Sequence, residues 1–189
     1  MNLFIDTISS PANITLFDWN RDIKDSIKWD IKWNESSTLI PQIDSLLKNN
    51  DLDYSSIENI VVVNWPGSFT GIRTTILAVN SINYIINKNI SCLSYFELYK
   101  NYPIIKASSK RDHFVQFNKN SKIEIIPNKE LLLLLKEKSI EKAYGEANKD
   151  LFEDIEILEN IDYISIIKDI KFQNLKQIEA LYIKKPNIS

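Results

Sequence analysis

The groups in this 189-residue chain that could do chemistry are few and far apart. It has one histidine, His113, one cysteine, Cys92, and three glycines, Gly67, Gly71 and Gly145. A single cysteine leaves no internal disulfide and no multi-cysteine metal site, and gives weak support for a reducing compartment. A single histidine without a partner motif suits a polar strand position better than an acid or base. Asp6 could serve a metal-dependent nuclease, but no clear second and third carboxylate follows at strand or helix ends. Ser68 has Pro66 and Thr70 where a nucleophile elbow has glycines. Actin-like ATPases cradle phosphates with glycine-rich hairpins, because backbone N–H groups must approach the oxygens closely. The loop Asp6-Thr7-Ile8-Ser9-Ser10-Pro11 has no glycine, and none lies between Gly71 and Gly145, which argues against such a nucleotide site.

The most informative segment runs from Val61 through Asn64, Trp65 and Pro66 to Arg73. A buried strand enters Pro66-Gly67, where proline fixes φ and glycine supplies a positive φ. Ser68 or Thr70 caps the following helix, and Gly71 permits close backbone approach. Arg73, near the helix N-terminus, opposes the macrodipole and calls for a carboxylate. Asp6, Glu35 and Asp44 are the candidates, and an Asp6–Arg73 ion pair is the preferred one. An anion site at the helix N-terminus is the sharper alternative, and a plain structural turn the commoner outcome.

The elements that must carry this segment follow from periodicity. Asn2 to Ile5 reads as a strand, and a second strand holds Ile14 and Leu16. Ile23, Ile27, Trp29, Ile31 and Trp33 fall on alternate positions, the mark of a half-buried strand. A helix follows, capped by Ser36, Ser37 or Thr38, with Pro41 in its first turn and Leu39, Ile40, Ile43, Leu46 and Leu47 as its stripe. Asn59 to Asn64 is a buried strand, a second helix reaches about Asn87, and Ile90 to Leu93 is another buried strand with a short helix, Tyr95 to Tyr99, behind it. Three strands, helix, strand, helix, strand describes a mixed α/β sheet, the ribonuclease H-like arrangement of actin-like and sugar-kinase-like proteins. Pro103 opens a second half with strands at Ile104-Ile105, Phe114 to Phe117 and Ile123 to Ile126, and a helix from Asn128 to Lys138. Beyond it, Ile140 to Tyr144 reads as a strand and Asn148 to Phe152 as a short helix. The expected lobes are 1–102 and a short, divergent 103–189, with no visible repeat.

Hydrophobic residues make up 44% of the chain and charged residues 25%, a globular balance. A net charge of −2 gives no global pull toward nucleic acid. The N-terminus has no basic region before Asp6, and the longest apolar run, Leu131 to Leu135, is far short of the ~20 residues that cross a bilayer. A cytoplasmic protein without a membrane association is expected.

Pro66-Gly67-Ser68-Phe69-Thr70-Gly71-Ile72-Arg73 resembles the signature of the TsaB (YeaZ) family, bacterial accessory subunits for threonylcarbamoyl-adenosine synthesis in tRNA. Ile5-Asp6-Thr7, Ser37-Thr38-Leu39-Ile40-Pro41-Gln42-Ile43, Lys110-Arg111-Asp112-His113-Phe114-Val115 and Leu181-Tyr182-Ile183-Lys184-Lys185-Pro186 are similar to further family segments. The resemblance implies a scaffold rather than an enzyme, pairing with the catalytic paralog TsaD, joined by TsaE, and meeting tRNA through the complex. ATP and metal would belong to the partners and no cofactor to this chain. The paralog holds its metal with a pair of histidines, and one histidine cannot do that.

The second helix offers a place for such pairing. Ile72, Ile76, Ala78, Val79, Ile82, Ile85 and Ile86 should cover the sheet. Thr74, Leu77, Ser81 and Tyr84 follow a three-four-three spacing, as in a helix–helix seam. In the family the first two helices meet those of the catalytic subunit. A covering of the seam by the second lobe or a loop is equally compatible, and a stand-alone homodimer through the same seam is a further rival. Lys168, Lys171, Lys176, Lys184 and Lys185 could touch a tRNA backbone or form an ordinary solvated face. From another class, a degenerate actin-like ATPase or a peptidase-like hydrolase acting alone is the alternative.

Overall fold

A computed structural model describes residues 1–31 and 35–180, apart from the side chains of Glu35, Ser36 and Lys149. Trp33 and the run from Leu181 to Pro186, with Lys184 and Lys185, lie outside the described residues. The chain forms two units, one from Met1–Tyr95 together with the segment from Ile164 onward, the other from Phe96–Tyr163.

The first unit contains β1 (Asn2–Asp6), β2 (Ala12–Phe17), β3 (Ile23–Trp29), α1 (Glu35–Asn49), β4 (Asn59–Trp65), α2 (Phe69–Ile86) and β5 (Asn89–Ser94). The strand order is β3-β2-β1-β4-β5. β2 runs antiparallel to β1 and β3, while β4 runs parallel to β1 and β5. Every residue of β1 and β2 is buried, the polar Asn2, Asp6, Asn13 and Thr15 included. β3 lies at the edge, and its burial alternates residue by residue. Leu3, Ile5, Ile14 and Leu16 of the sheet share one core with Leu39, Ile43 and Leu46 of α1 and Ile72, Ile76 and Val79 of α2. Both helices therefore cover the same face. α2 ends at Asn87, whose φ of 50° is the left-handed cap that asparagine tolerates. Pro41 lies inside α1 rather than in its first turn, because the helix begins at Glu35.

The second unit contains β6 (Ile104–Ala107), β7 (Asp112–Gln116), β8 (Glu124–Pro127), α3 (Asn128–Glu137), β9 (Lys142–Glu146), a short 3-10 turn at Lys149–Leu151 and β10 (Glu156–Leu158). Its strand order, β10-β9-β6-β7-β8, repeats that of the first unit with β6 in the place of β1. The parallel and antiparallel pairings repeat as well. The repeat is one of topology, hidden in the sequence because the unit is abridged. Between β4 and β5 lie the 18 residues of α2, whereas between β9 and β10 there is only the three-residue turn.

The division at 102/103 needs correction, because the C-terminal segment returns to the first unit. After α4 (Tyr163–Asp169), Leu175 forms an antiparallel bridge with Ile90, and the Gln173 amide bonds the N–H and C=O of Cys92. These contacts satisfy the outer edge of β5. Arg21, at a φ of 68°, donates to the carbonyls of Ile167 and Ile170 and stacks 4.2 Å from the centre of the Phe172 ring. A guanidinium at the carbonyl end of α4 suits the helix dipole.

Candidate functional site

Strand β4 delivers the chain into a crowded turn. A Cβ on Gly67 would sit 3.1 Å from Cγ1 of Ile8 and 3.4 Å from Cγ1 of Ile72. Glycine is needed there for close approach and not for a positive φ, which among the glycines occurs only at Gly145. Ser68 is the N-cap of α2, and its hydroxyl accepts from the Gly71 N–H at 3.0 Å. That settles the choice between Ser68 and Thr70, which lies exposed in the first turn. Thr75, one turn on, is buried and shares a 2.6 Å hydroxyl–hydroxyl bond with Thr7 after β1. The turn and helix are thus fixed to the start of the chain at two points.

The expected Asp6–Arg73 ion pair is not formed. Asp6 is fully buried, and its Oδ1 accepts from the backbone N–H groups of Ile8 and Ser9, so it holds the loop that Gly67 packs against. Arg73 is exposed on the far side of α2, with its guanidinium 5.2 Å from the centre of the Phe69 ring. Asp44, another candidate, accepts from the Tyr54 hydroxyl instead. The Glu35 side chain lies outside the described residues.

Four of the eight large exposed apolar side chains of the described residues stand on α2: Phe69 at 40%, Leu77 at 69%, Tyr84 at 91% and Ile85 at 82% exposure. Arg73, Thr70 and Ser81 are exposed among them, and Thr74 is half-buried. The exposed face of α1 differs, carrying Ser37, Pro41, Ser45 and Lys48. Among the described residues, the large apolar side chains left exposed are thus concentrated on α2, with none on α1. Ile85 departs from the expected sheet-covering stripe. It lies eleven residues beyond Thr74, close to three whole turns, so it shares the outer line of the helix on which Thr74 sits. That spacing was the signal that could have placed it. Beside it, Asn80, Ser81, Tyr84, Ile85, Lys176 and Gln177 line a groove of about 510 Å³. Lys176 donates to the Lys88 carbonyl and to Asn89, so its ammonium supports the chain locally. Lys168 and Lys171 are exposed.

His113 is enclosed in the second unit, on β7. Its Nδ1 lies 2.9 Å from Oδ1 of Asn128, whose amide nitrogen donates to the Lys110 carbonyl. The oxygen of Asn128 must therefore accept, and Nδ1 carries the proton. Burial pushes the imidazole pKa down, against opposing effects of Asn128 and Asp112. No group of three or more His, Cys, Asp or Glu among the described residues is placed to hold a metal. No helix among them is long and apolar enough to cross a membrane.

Known proteins share this architecture and parts of this sequence. YeaZ from Pseudomonas aeruginosa matches with a TM-score of 0.66 and 15% identity, over 88% of this chain and 91% of that one. A protein described as similar to the peptidase YeaZ from Pseudomonas aeruginosa matches with a TM-score of 0.73 and 14% identity, over 97% and 100%. TsaB of Bacillus subtilis is 30% identical over 95 residues, half of this chain and 41% of that protein. TsaB of Buchnera aphidicola is 24% identical over 152 residues, 74% of this chain and 68% of that protein. The family model described as TsaD, tRNA N6-adenosine threonylcarbamoyltransferase, matches residues 32–108, which include the signature turn, α1 and α2. The chain is thus similar to TsaB (YeaZ) proteins in fold and, over the signature turn, α1 and α2, in sequence. A relative of Mycoplasma pneumoniae, described as uncharacterized protein MG208 homolog, is 24% identical over 193 residues, 97% of this chain and 95% of that protein. The stretch matched by the family model contains no histidine, since His113 lies beyond it.

Proposed function

We propose that this chain is a non-catalytic subunit in the formation of threonylcarbamoyl-adenosine in tRNA, and that it joins the catalytic subunit, TsaD, through the outer face of α2. One observation carries this: in a chain similar to TsaB, half of the large exposed apolar side chains of the described residues lie on the helix that follows the signature turn. Ser68, Gly67 and Thr75 have no reacting group to serve; they fix the angle at which α2 leaves the sheet. Leu77, Tyr84 and Ile85 supply area, and Thr74 and Ser81 leave room for a second helix to approach. TsaE and tRNA would be met through the assembled complex, and ATP and metal held by the partners. The test is reconstitution. TsaD, TsaE and the enzyme making the threonylcarbamoyl donor, all from the same genome, should modify tRNA only at background level until this chain is added. Full modification without it would refute the role.

A further inference from the structure

The second unit carries an open apolar groove of about 780 Å³ that the role above does not use. One wall is a face of α3, where Leu132, Leu133 and Lys136 follow Lys129 by three, four and seven residues and so lie on one side. The other wall is the connection between β9 and β10, with Leu151, Phe152 and Ile155 as its apolar part. Along that wall stand Asp150, Glu153 and Asp154, and Glu141 also lines the groove. Leu133 is 63% exposed although it faces apolar neighbours. Among the described residues, neither Lys129 nor Lys136 pairs with any of these four carboxylates.

We infer that this groove receives an amphipathic, net-basic helix from a protein partner. The topological repeat supplies the first reason. In the first unit, the connection between the two parallel outer strands is α2, which packs beside α1. In the second, α3 stands where α1 stands in the order, and the connection shrinks to a three-residue turn. The groove opens between α3 and that turn, where the first unit places a helix of its own. Charge supplies the second reason. Two lysines and four carboxylates line the apolar strip, an acidic excess that suits a helix with lysine or arginine along one edge of an apolar stripe. The excess of carboxylates repels a nucleic-acid backbone.

The probes are two fluorescein-labelled peptides of about 18 residues, helical by composition, with the same leucine stripe. One carries lysines beside the stripe and the other glutamates. Fluorescence polarisation against the full chain at low salt should show the lysine peptide binding about tenfold more tightly or better, a difference of ~1.4 kcal/mol. Leu133→Ser should weaken that binding about tenfold with an unchanged melting temperature, as expected for an exposed side chain. Asp150→Lys with Asp154→Lys should reverse the preference between the peptides. Equal binding of the two peptides, or indifference to Leu133→Ser, would overturn the proposal. So would a wild-type dimer that Leu133→Ser converts to monomer, because the occupant would then be a second copy of this chain.

Discussion

Replacing Leu77 and Tyr84 together by aspartate should separate this chain from TsaD without unfolding it. Leu77 is 69% and Tyr84 91% exposed, so neither contributes much to the core. Full burial of a leucine is worth about 1.5–3 kcal/mol, which leaves about 1–2 kcal/mol for its free part. An aromatic side chain buries about 150–250 Å², a gross ~4–6 kcal/mol, of which interface truncations commonly register about 2–4. The pair should therefore cost about 3–6 kcal/mol of association, roughly a hundredfold to ten-thousandfold in Kd. Two carboxylates forced into an apolar contact add to that loss. Isothermal titration of wild type and variant into TsaD measures it directly. Ile164→Asp, at a residue 58% exposed on α4, is the control and should bind as wild type does. Thermal unfolding should stay within about 0.5 kcal/mol of wild type for both. An affinity for the double variant within about threefold of wild type would mean that the outer face of α2 is not the contact.

Three further outcomes follow from local geometry. Ser68→Ala removes the oxygen that accepts from Gly71 and should destabilise the first unit by about 1 kcal/mol in urea unfolding, with Ser68→Asp retaining most of the stability. Arg21→Ala removes two bonds to the end of α4 and the stacking on Phe172, and should speed hydrogen exchange at the Leu175 amide while leaving β1 protected. His113 has a folded-state pKa below its unfolded value of about 6.5, so the unfolded chain takes up more protons in acid. Stability should be complete above that pH and fall as pH drops through it. A flat profile between neutral and mildly acidic pH, or an equal slope in His113→Gln, would remove His113 as the cause.

The first unit was legible in the sequence because its signals are local. The apolar run Ile60 to Val63 within β4, the alternation of β3 and the Pro66-Gly67-Ser68 entry to α2 each depend on near neighbours. What the sequence hid depends on distant ones. Gly67 is required by Ile8 some sixty positions earlier, whereas a local rule offers only a turn with positive φ. The carboxylate of Asp6 turned to its own loop, and Arg73 to a ring on its own helix, so opposite charges that suggested a pair do not meet. Neither the return of residues near Leu175 to the edge of β5 nor the topological repeat leaves a periodic trace. The repeat is further masked because the counterpart of α2 is missing from the second unit.

The most direct measurement is the mass of the species that elutes when this chain and the TsaD of its own genome are expressed together. A one-to-one complex that persists through gel filtration, and is lost with the Leu77 and Tyr84 substitutions, is the predicted result. A monomer or a homodimer that ignores TsaD would contradict the account.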